Sequence, residues 1–190
     1  MPQPDHISAL PHLDEAALDD ELKGFYQKCR DKLGLVPHVI QALSLRPQKL
    51  KNFIQTYNEL MLGKSGLSKL EREMIAVVVS ACNRCYYCLV AHGQAVRQLS
   101  GDPQLGEMMV MNYRVAHLEP RQRAMLDFAW KLTATPDQVA EADRASLRQA
   151  GFTAEDIFDI CDVVAFFNAS NRLAHGLDMM PNADYHAMNR

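Results

Sequence analysis

The sequence has no run of lysine and arginine with interleaved aromatics, and its 20 basic side chains are outnumbered by 23 acidic ones, for a formal charge of -3. Nucleic acid therefore has no electrostatic footprint to bind. Long hydrophobic runs are missing too. The longest, Met74 to Cys82, is nine residues with Ser80 inside it, too short to cross a bilayer, so no membrane partner is expected. The opening stretch MPQPDHISALPHLDEAALDD is acidic and proline-containing, where a secretory leader is basic and apolar. A reducing cytoplasm is the expected setting, in which neighbouring cysteines serve catalysis or metal binding more often than structural cross-linking. Low-complexity tracts, linkers and alternating strand patterns are also lacking.

What remains is an ordinary globular composition, 48% hydrophobic and 23% charged over 190 residues. A chain of this length has an expected radius of gyration of roughly 16 Å and buries about 70% of its unfolded surface. Apolar spacings of three and four recur throughout, which predicts an all-α fold in one domain over 1–190. Leu18, Leu22, Phe25 and Tyr26 open a first helix, Val39 to Leu45 a short second, and Leu50, Phe53, Ile54, Tyr57, Leu60 and Met61 a third that Gly63 and Gly66 end. Residues 1–50 read as a helical arm across the remainder. Ser68 with Glu71 three residues on predicts a capping box for the next helix. Thr135, Pro136 and Gln138 predict a further helix start, with Gly151 as its stop and Thr153 beginning the last long helix through Phe167.

The segment 67–97 holds the reactive side chains: Glu73, Cys85, Cys88 and His92 stand as E-x11-C-x-x-C-x3-H. In a C-x-x-C pair one sulfur attacks a disulfide or peroxide and the other displaces the product. A free thiol has a pKa of about 8.5, so a base or positive charge must raise its thiolate fraction. One continuous helix from Glu73 to His92 would part carboxylate and imidazole by roughly 28 Å; a turn at Asn83, a residue that both ends and starts helices, would bring them level. His92 then reaches one turn back to Cys88 and takes its proton, with Glu73 orienting the imidazole. Cys85, at the helix start, gains from the positive end of the dipole. A zinc site of Cys82, Cys85, Cys88 and His92 is disfavoured, because zinc usually draws ligands from two chain segments; no metal and no cofactor is expected. Tyr86, Tyr87, Asn171, Arg172 and His175 read as packing residues. An echo of Leu89–Gly93 in Arg172–Gly176, offset by 83, raises a duplicated helical unit against chance.

The segment LSKLEREMIAVVVSACNRCYYCLVAHG, with weaker support from FFNASNRLAHGLDMMPN, resembles the alkylhydroperoxidase AhpD and carboxymuconolactone decarboxylase superfamily, in its peroxidase-related branch. The resemblance implies a compact all-helical domain, a homo-oligomer of three or six copies, a hydroperoxide substrate and an external thiol or dithiol reductant. It implies that Glu73, Cys85, Cys88 and His92 correspond to the family's proton-relay and dithiol residues, with Cys88 as the attacking sulfur and Cys85 as its resolving partner. Tyr87 stands where AhpD proper has a further histidine, and Asn83-Arg84 where Asn-Gly is usual. The decarboxylase members lack the C-x-x-C pair. The expected activity is a thiol-dependent peroxidase; the alternatives are a disulfide reductase and a redox-responsive oligomer without turnover.

Overall fold

The computed structural model describes residues 3–190, and among them the chain forms helices and no strand. The α-helices are α1 Asp20–Leu33, α2 His38–Leu43, α3 Pro47–Leu62, α4 Lys69–Cys82, α5 Tyr86–Ser100, α6 Pro103–Asn112, α7 Pro120–Ala134, α8 Glu141–Gln149 and α9 Ala154–Gly176. Their ends follow local chemistry. Asp19 accepts the Leu22 N–H to start α1, and Gly34, at φ 75°, supplies the left-handed residue that stops it. Gly63 ends α3 where a Cβ would meet the Glu59 carbonyl oxygen at 2.3 Å, so only glycine fits there.

Helix α4 lies at the centre. Met74 through Val79 are wholly buried, because α5, α6, α7 and α9 pack around it. Each such branched side chain removed from water contributes roughly 1.5–3 kcal/mol before entropy is subtracted. A second apolar cluster, Leu18, Leu22, Tyr26, Val36, Ile40 and Leu50, ties α1 to α3. A third lies over the cysteines: Ala42, Tyr87, Ala174 and Met179, with Ile7, Val39, Leu43 and Leu177 at its edge.

The starts of α4 and α9 are built alike and joined. Ser68 and Glu71 form a capping box on α4, and Thr153 and Asp156 form one on α9. Arg121, in the first turn of α7, reaches both acids, with Nε 3.3 Å from Glu71 and Nη2 4.0 Å from Asp156, and stacks over Phe152. One guanidinium thus fixes the relative position of the two helices that frame the reactive residues.

One expectation needs correction. Pro136–Gln138 is a short 3-10 turn and α8 begins only at Glu141, where the Asp143 carboxylate accepts the Ala140 N–H. Two helices, α6 and α7, went unforeseen; each opens with proline at its first position. The two echoed segments sit in different settings: Leu89–Gly93 lies in α5 just after a turn, whereas Arg172–Gly176 closes the uninterrupted α9.

Candidate active site

The turn between α4 and α5 sets the chemistry. Asn83 ends α4 in right-handed geometry, and Arg84 takes the left-handed conformation at φ 54°. The expected left-handed asparagine is therefore its neighbour. Asn83 is held by its side chain instead: Nδ2 donates to Asn168 Oδ1 at 3.1 Å and to Asn171 Oδ1 at 3.0 Å. The Cys85 N–H donates to the Ser80 carbonyl at 2.9 Å, which closes the loop and leaves Cys85 as the N-cap of α5.

Folding back brings α5 alongside α4, and the structure pairs Glu73 with His92. The imidazole Nδ1 lies 2.7 Å from Glu73 Oε2. A carboxylate only accepts, so Nδ1 carries the hydrogen and Nε2 is the ring nitrogen turned away from Glu73. Both side chains are largely buried, and the ring meets Phe167 edge to face at 4.7 Å between centroids. The cysteines are buried, at 1% and 2% exposure, with Sγ atoms 3.0 Å apart.

The two thiols are unequal. Cys85 is lowered from 9.0 to about 7, first by the hydrogen bond from Cys88, against burial, and then by the Cys88 backbone N–H and the positive influence of His175 and His92. Cys88 is pushed well above the ordinary thiol range by its bond to Cys85, by burial and by the Cys85 charge, with Asn171 and Ser80 as hydrogen-bonding neighbours pulling the other way. The inequality starts from the bond between the sulfurs themselves, and the position of Cys85 as N-cap of α5 adds the Cys88 backbone N–H to it. The surroundings of the pair thus favour negative charge on Cys85 over Cys88. Among the described residues no hydrogen bond joins His92 to either sulfur; the ring acts on Cys85 through its charge.

Residues read as packing prove to surround the sulfurs. Asn171, fully buried on α9, donates Nδ2 to Ser80 Oγ at 3.1 Å. His175, one turn further along, lies with Nε2 3.1 Å from the Asn83 carbonyl. Tyr87 accepts the Val39 N–H on its hydroxyl at 3.0 Å, which pins α2 over the dithiol. The chain's start and end complete this cover: the Ala9 N–H donates to the Leu177 carbonyl at 2.8 Å, and the Met180 N–H to that of Ile7 at 3.1 Å. The sequence signal for Asn171 and His175 was the 83-residue echo, which sets them against Cys88 and His92. Cys82 ends α4 on the other side of the turn from Cys85, and no cluster of three or more metal-ligating side chains occurs among the described residues.

The fold recurs in known proteins. The profile of the Carboxymuconolactone decarboxylase family matches residues 47–129, which include the whole α4–α5 pair. An uncharacterized peroxidase-related protein from Silicibacter sp. TM1040 is 57% identical over 100% of both chains, with a TM-score of 0.95. The chain belongs to the AhpD and carboxymuconolactone decarboxylase superfamily. A second AhpD-like relative, the uncharacterized peroxidase-related protein from Ralstonia eutropha JMP134 described as an alkylhydroperoxidase AhpD core, is 43% identical over 98% of both chains at a TM-score of 0.95. The debrominase Bmp8 shares the fold at 16% identity and a TM-score of 0.78, covering 98% of this chain and 97% of its own. No curated protein matches. Among the described residues no helix is long and apolar enough to cross a membrane.

Proposed function

We propose that the protein is a thiol-dependent peroxidase that reduces hydroperoxides through the Cys85–Cys88 dithiol, with the Glu73–His92 pair carrying protons. Two relatives above 40% identity bear peroxidase-related descriptions, which supports an antioxidant role at the level of the family. The observation that carries the finer reading is two sulfurs 3.0 Å apart at a helix start, one of them drawn down to about 7.

At rest Cys85 is the thiolate, Cys88 keeps its proton, and the proton lost by Cys85 sits on His92 beside Glu73. Cys85 Sγ attacks a peroxide oxygen, the O–O bond breaks, and the leaving alkoxide takes the His92 proton as an alcohol. Cys88 then gives its own proton to His92, and its thiolate attacks the Cys85 sulfenic acid. The S–S bond forms, the S–O bond breaks, and hydroxide leaves as water with that proton. An external thiol or dithiol reopens the disulfide. In this order Cys85 attacks and Cys88 resolves, the reverse of the roles that the resemblance implied, because the Cys88 thiol and then its backbone N–H favour charge on Cys85.

Both sulfurs lie under α2 and the paired chain ends, so substrate and reductant gain access when that cover lifts. Tyr86, Leu89 and Met111, the last 82% exposed, line a cleft of about 280 Å³ on another face, and further copies of the chain in a homo-oligomer would cover it. The test is peroxide consumption with excess dithiol reductant. An enzyme consumes many equivalents per subunit; one equivalent per subunit would mark a redox-responsive oligomer without turnover.

A further inference from the structure

Two tyrosines stand between the cysteines on the first turn of α5, and each holds a different part of the cover over the sulfurs. Consecutive helical residues point about 100° apart, so Tyr87 is buried while Tyr86 lies half exposed. The Tyr87 hydroxyl accepts the Val39 N–H at 3.0 Å, one of the first-turn N–H groups that α2 cannot satisfy itself. The Tyr86 hydroxyl donates to Gln3 Oε1 at 3.3 Å and lies 3.3 Å from His186 Nε2, which is 3.1 Å from the same Gln3 oxygen. Gln3 in turn donates Nε2 to the Pro181 carbonyl at 2.6 Å. The parts so held are tied to one another. His38, at the start of α2, has Nδ1 2.8 Å from the Met180 carbonyl and its N–H 2.8 Å from Asn182 Oδ1, and Asn182 Nδ2 donates to the Val36 carbonyl at 3.0 Å. Among the described residues the other hydrogen bonds from α5 to the chain ends come from Arg97, which holds the Tyr185 and Met188 carbonyls and so anchors the far end of the tail.

We propose that the dithiol operates its own cover: closing the Cys85–Cys88 disulfide turns Tyr86 and Tyr87 away from their partners, α2 and the paired segments 3–9 and 177–182 swing off together, and the sulfurs stay open until a reductant reaches them. This rests on the reading of the pair as a redox dithiol and holds whichever sulfur attacks first. In the oxidising step the S–S bond forms, two thiol protons and two electrons pass to the hydroperoxide, and it leaves as alcohol and water. Cys85 sits outside the helix in extended backbone, its N–H bonded to the Ser80 carbonyl, whereas Cys88 lies inside α5. Drawing the sulfurs together from 3.0 Å therefore falls on the backbone of the two residues between them. A tyrosine oxygen stands about 6.5 Å from its Cα, so a turn of about 15° moves it by roughly 1.7 Å, which takes either hydroxyl out of hydrogen-bond range. What then remains over the sulfurs is the apolar contact of Ile7, Val39, Leu43 and Leu177, with the Arg97 anchor as the hinge. Reduction restores both hydroxyls to their partners and closes the cover.

Hydrogen–deuterium exchange on the full chain reads the cover, and diamide, a thiol oxidant that takes up the two hydrogens without any peroxidase activity, sets the redox state. Peptides containing the Ala9, Val39 and Met180 amides, all bonded within the closed cover, should exchange about tenfold faster in the oxidised protein than in the reduced one and slow again on adding dithiothreitol. Met74 through Val79 in α4 should keep their rates. A Tyr86→Phe and Tyr87→Phe double variant keeps both rings and loses both hydroxyls, so its reduced form should already exchange as oxidised wild type does. In a Cys85→Ser and Cys88→Ser protein diamide should change nothing. Equal exchange in the reduced and oxidised wild type, an increase that spreads to α4, or a pair that forms no disulfide under diamide would overturn the proposal. Opening under diamide without peroxide turnover would sink the peroxidase and leave the two tyrosines as latches.

Discussion

Two stretches that share the letters AHG, Leu89–Gly93 and Arg172–Gly176, meet around the same sulfurs with opposite duties. In the first, the residues at the matching spacing are Cys85, Cys88 and His92, just after a turn; in the second they are Asn168, Asn171 and His175, at the end of the 23-residue α9. A side chain at a helix start faces unpaired N–H groups, which lower a thiol. A side chain inside a long buried helix finds its backbone satisfied and can only brace its neighbours. The two stretches thus differ in which end of a helix they occupy, the start of α5 against the end of α9.

The widest way to break this comparison is to delete a reactive member. Cys85→Ser and Cys88→Ser should each reduce peroxide turnover to background, but only Cys88→Ser should still form a sulfenic acid, on Cys85, trappable by a sulfenate-selective reagent. Trapping in Cys85→Ser alone would return the attacking role to Cys88. Next comes Glu73→Gln, which keeps side-chain shape and loses the charge beside His92. The rate should fall on the order of 100-fold, the usual worth of proton-transfer help, with the melting temperature retained. Glu71→Gln is the contrast: its amide oxygen can still accept the Ser68 N–H, so the capping box stays and only the charge facing Arg121 is lost, which should cost about 1 kcal/mol of stability or less and leave the rate intact.

On the supporting side, His175→Gln removes a positive influence on Cys85 while an amide N–H can still reach the Asn83 carbonyl. Because that influence lowers the thiol, its loss should raise the Cys85 midpoint, so reactivity at neutral pH drops a few-fold and recovers as pH rises. Smallest of all, Arg84→Gly relieves the left-handed conformation at φ 54° but frees the unfolded chain. These terms nearly offset, and stability by urea unfolding should stay within about 1 kcal/mol.

Much of this was legible in the residues. The capping box at Ser68 and Glu71, the chain reversal near Asn83 and the closeness of Glu73 to His92 follow from spacing alone, because helix rise converts sequence separation into distance. The left-handed residue was misplaced by one, since nothing local shows that Asn83 spends its amide on α9. Asn171 and His175 were read as packing for the same reason: their partners lie about 90 residues away. Helices α6 and α7 escaped notice although Pro103 and Pro120 mark their starts. Which cysteine is acidic depends on which becomes the N-cap, and that required the position of the turn.

The central claim is that Cys85 holds the resting thiolate. Alkylating the reduced wild-type protein with iodoacetamide from pH 5 to 9, and resolving the two cysteines by tandem mass spectrometry, tests it directly. Cys85 should react first, its rate rising through a midpoint near the value of about 7 and levelling above it, while Cys88 lags across the whole range. If Cys88 reacts first, or both cysteines share one midpoint near that of a free thiol at about 8.5, the surroundings of the pair do not favour charge on Cys85 and the account is wrong.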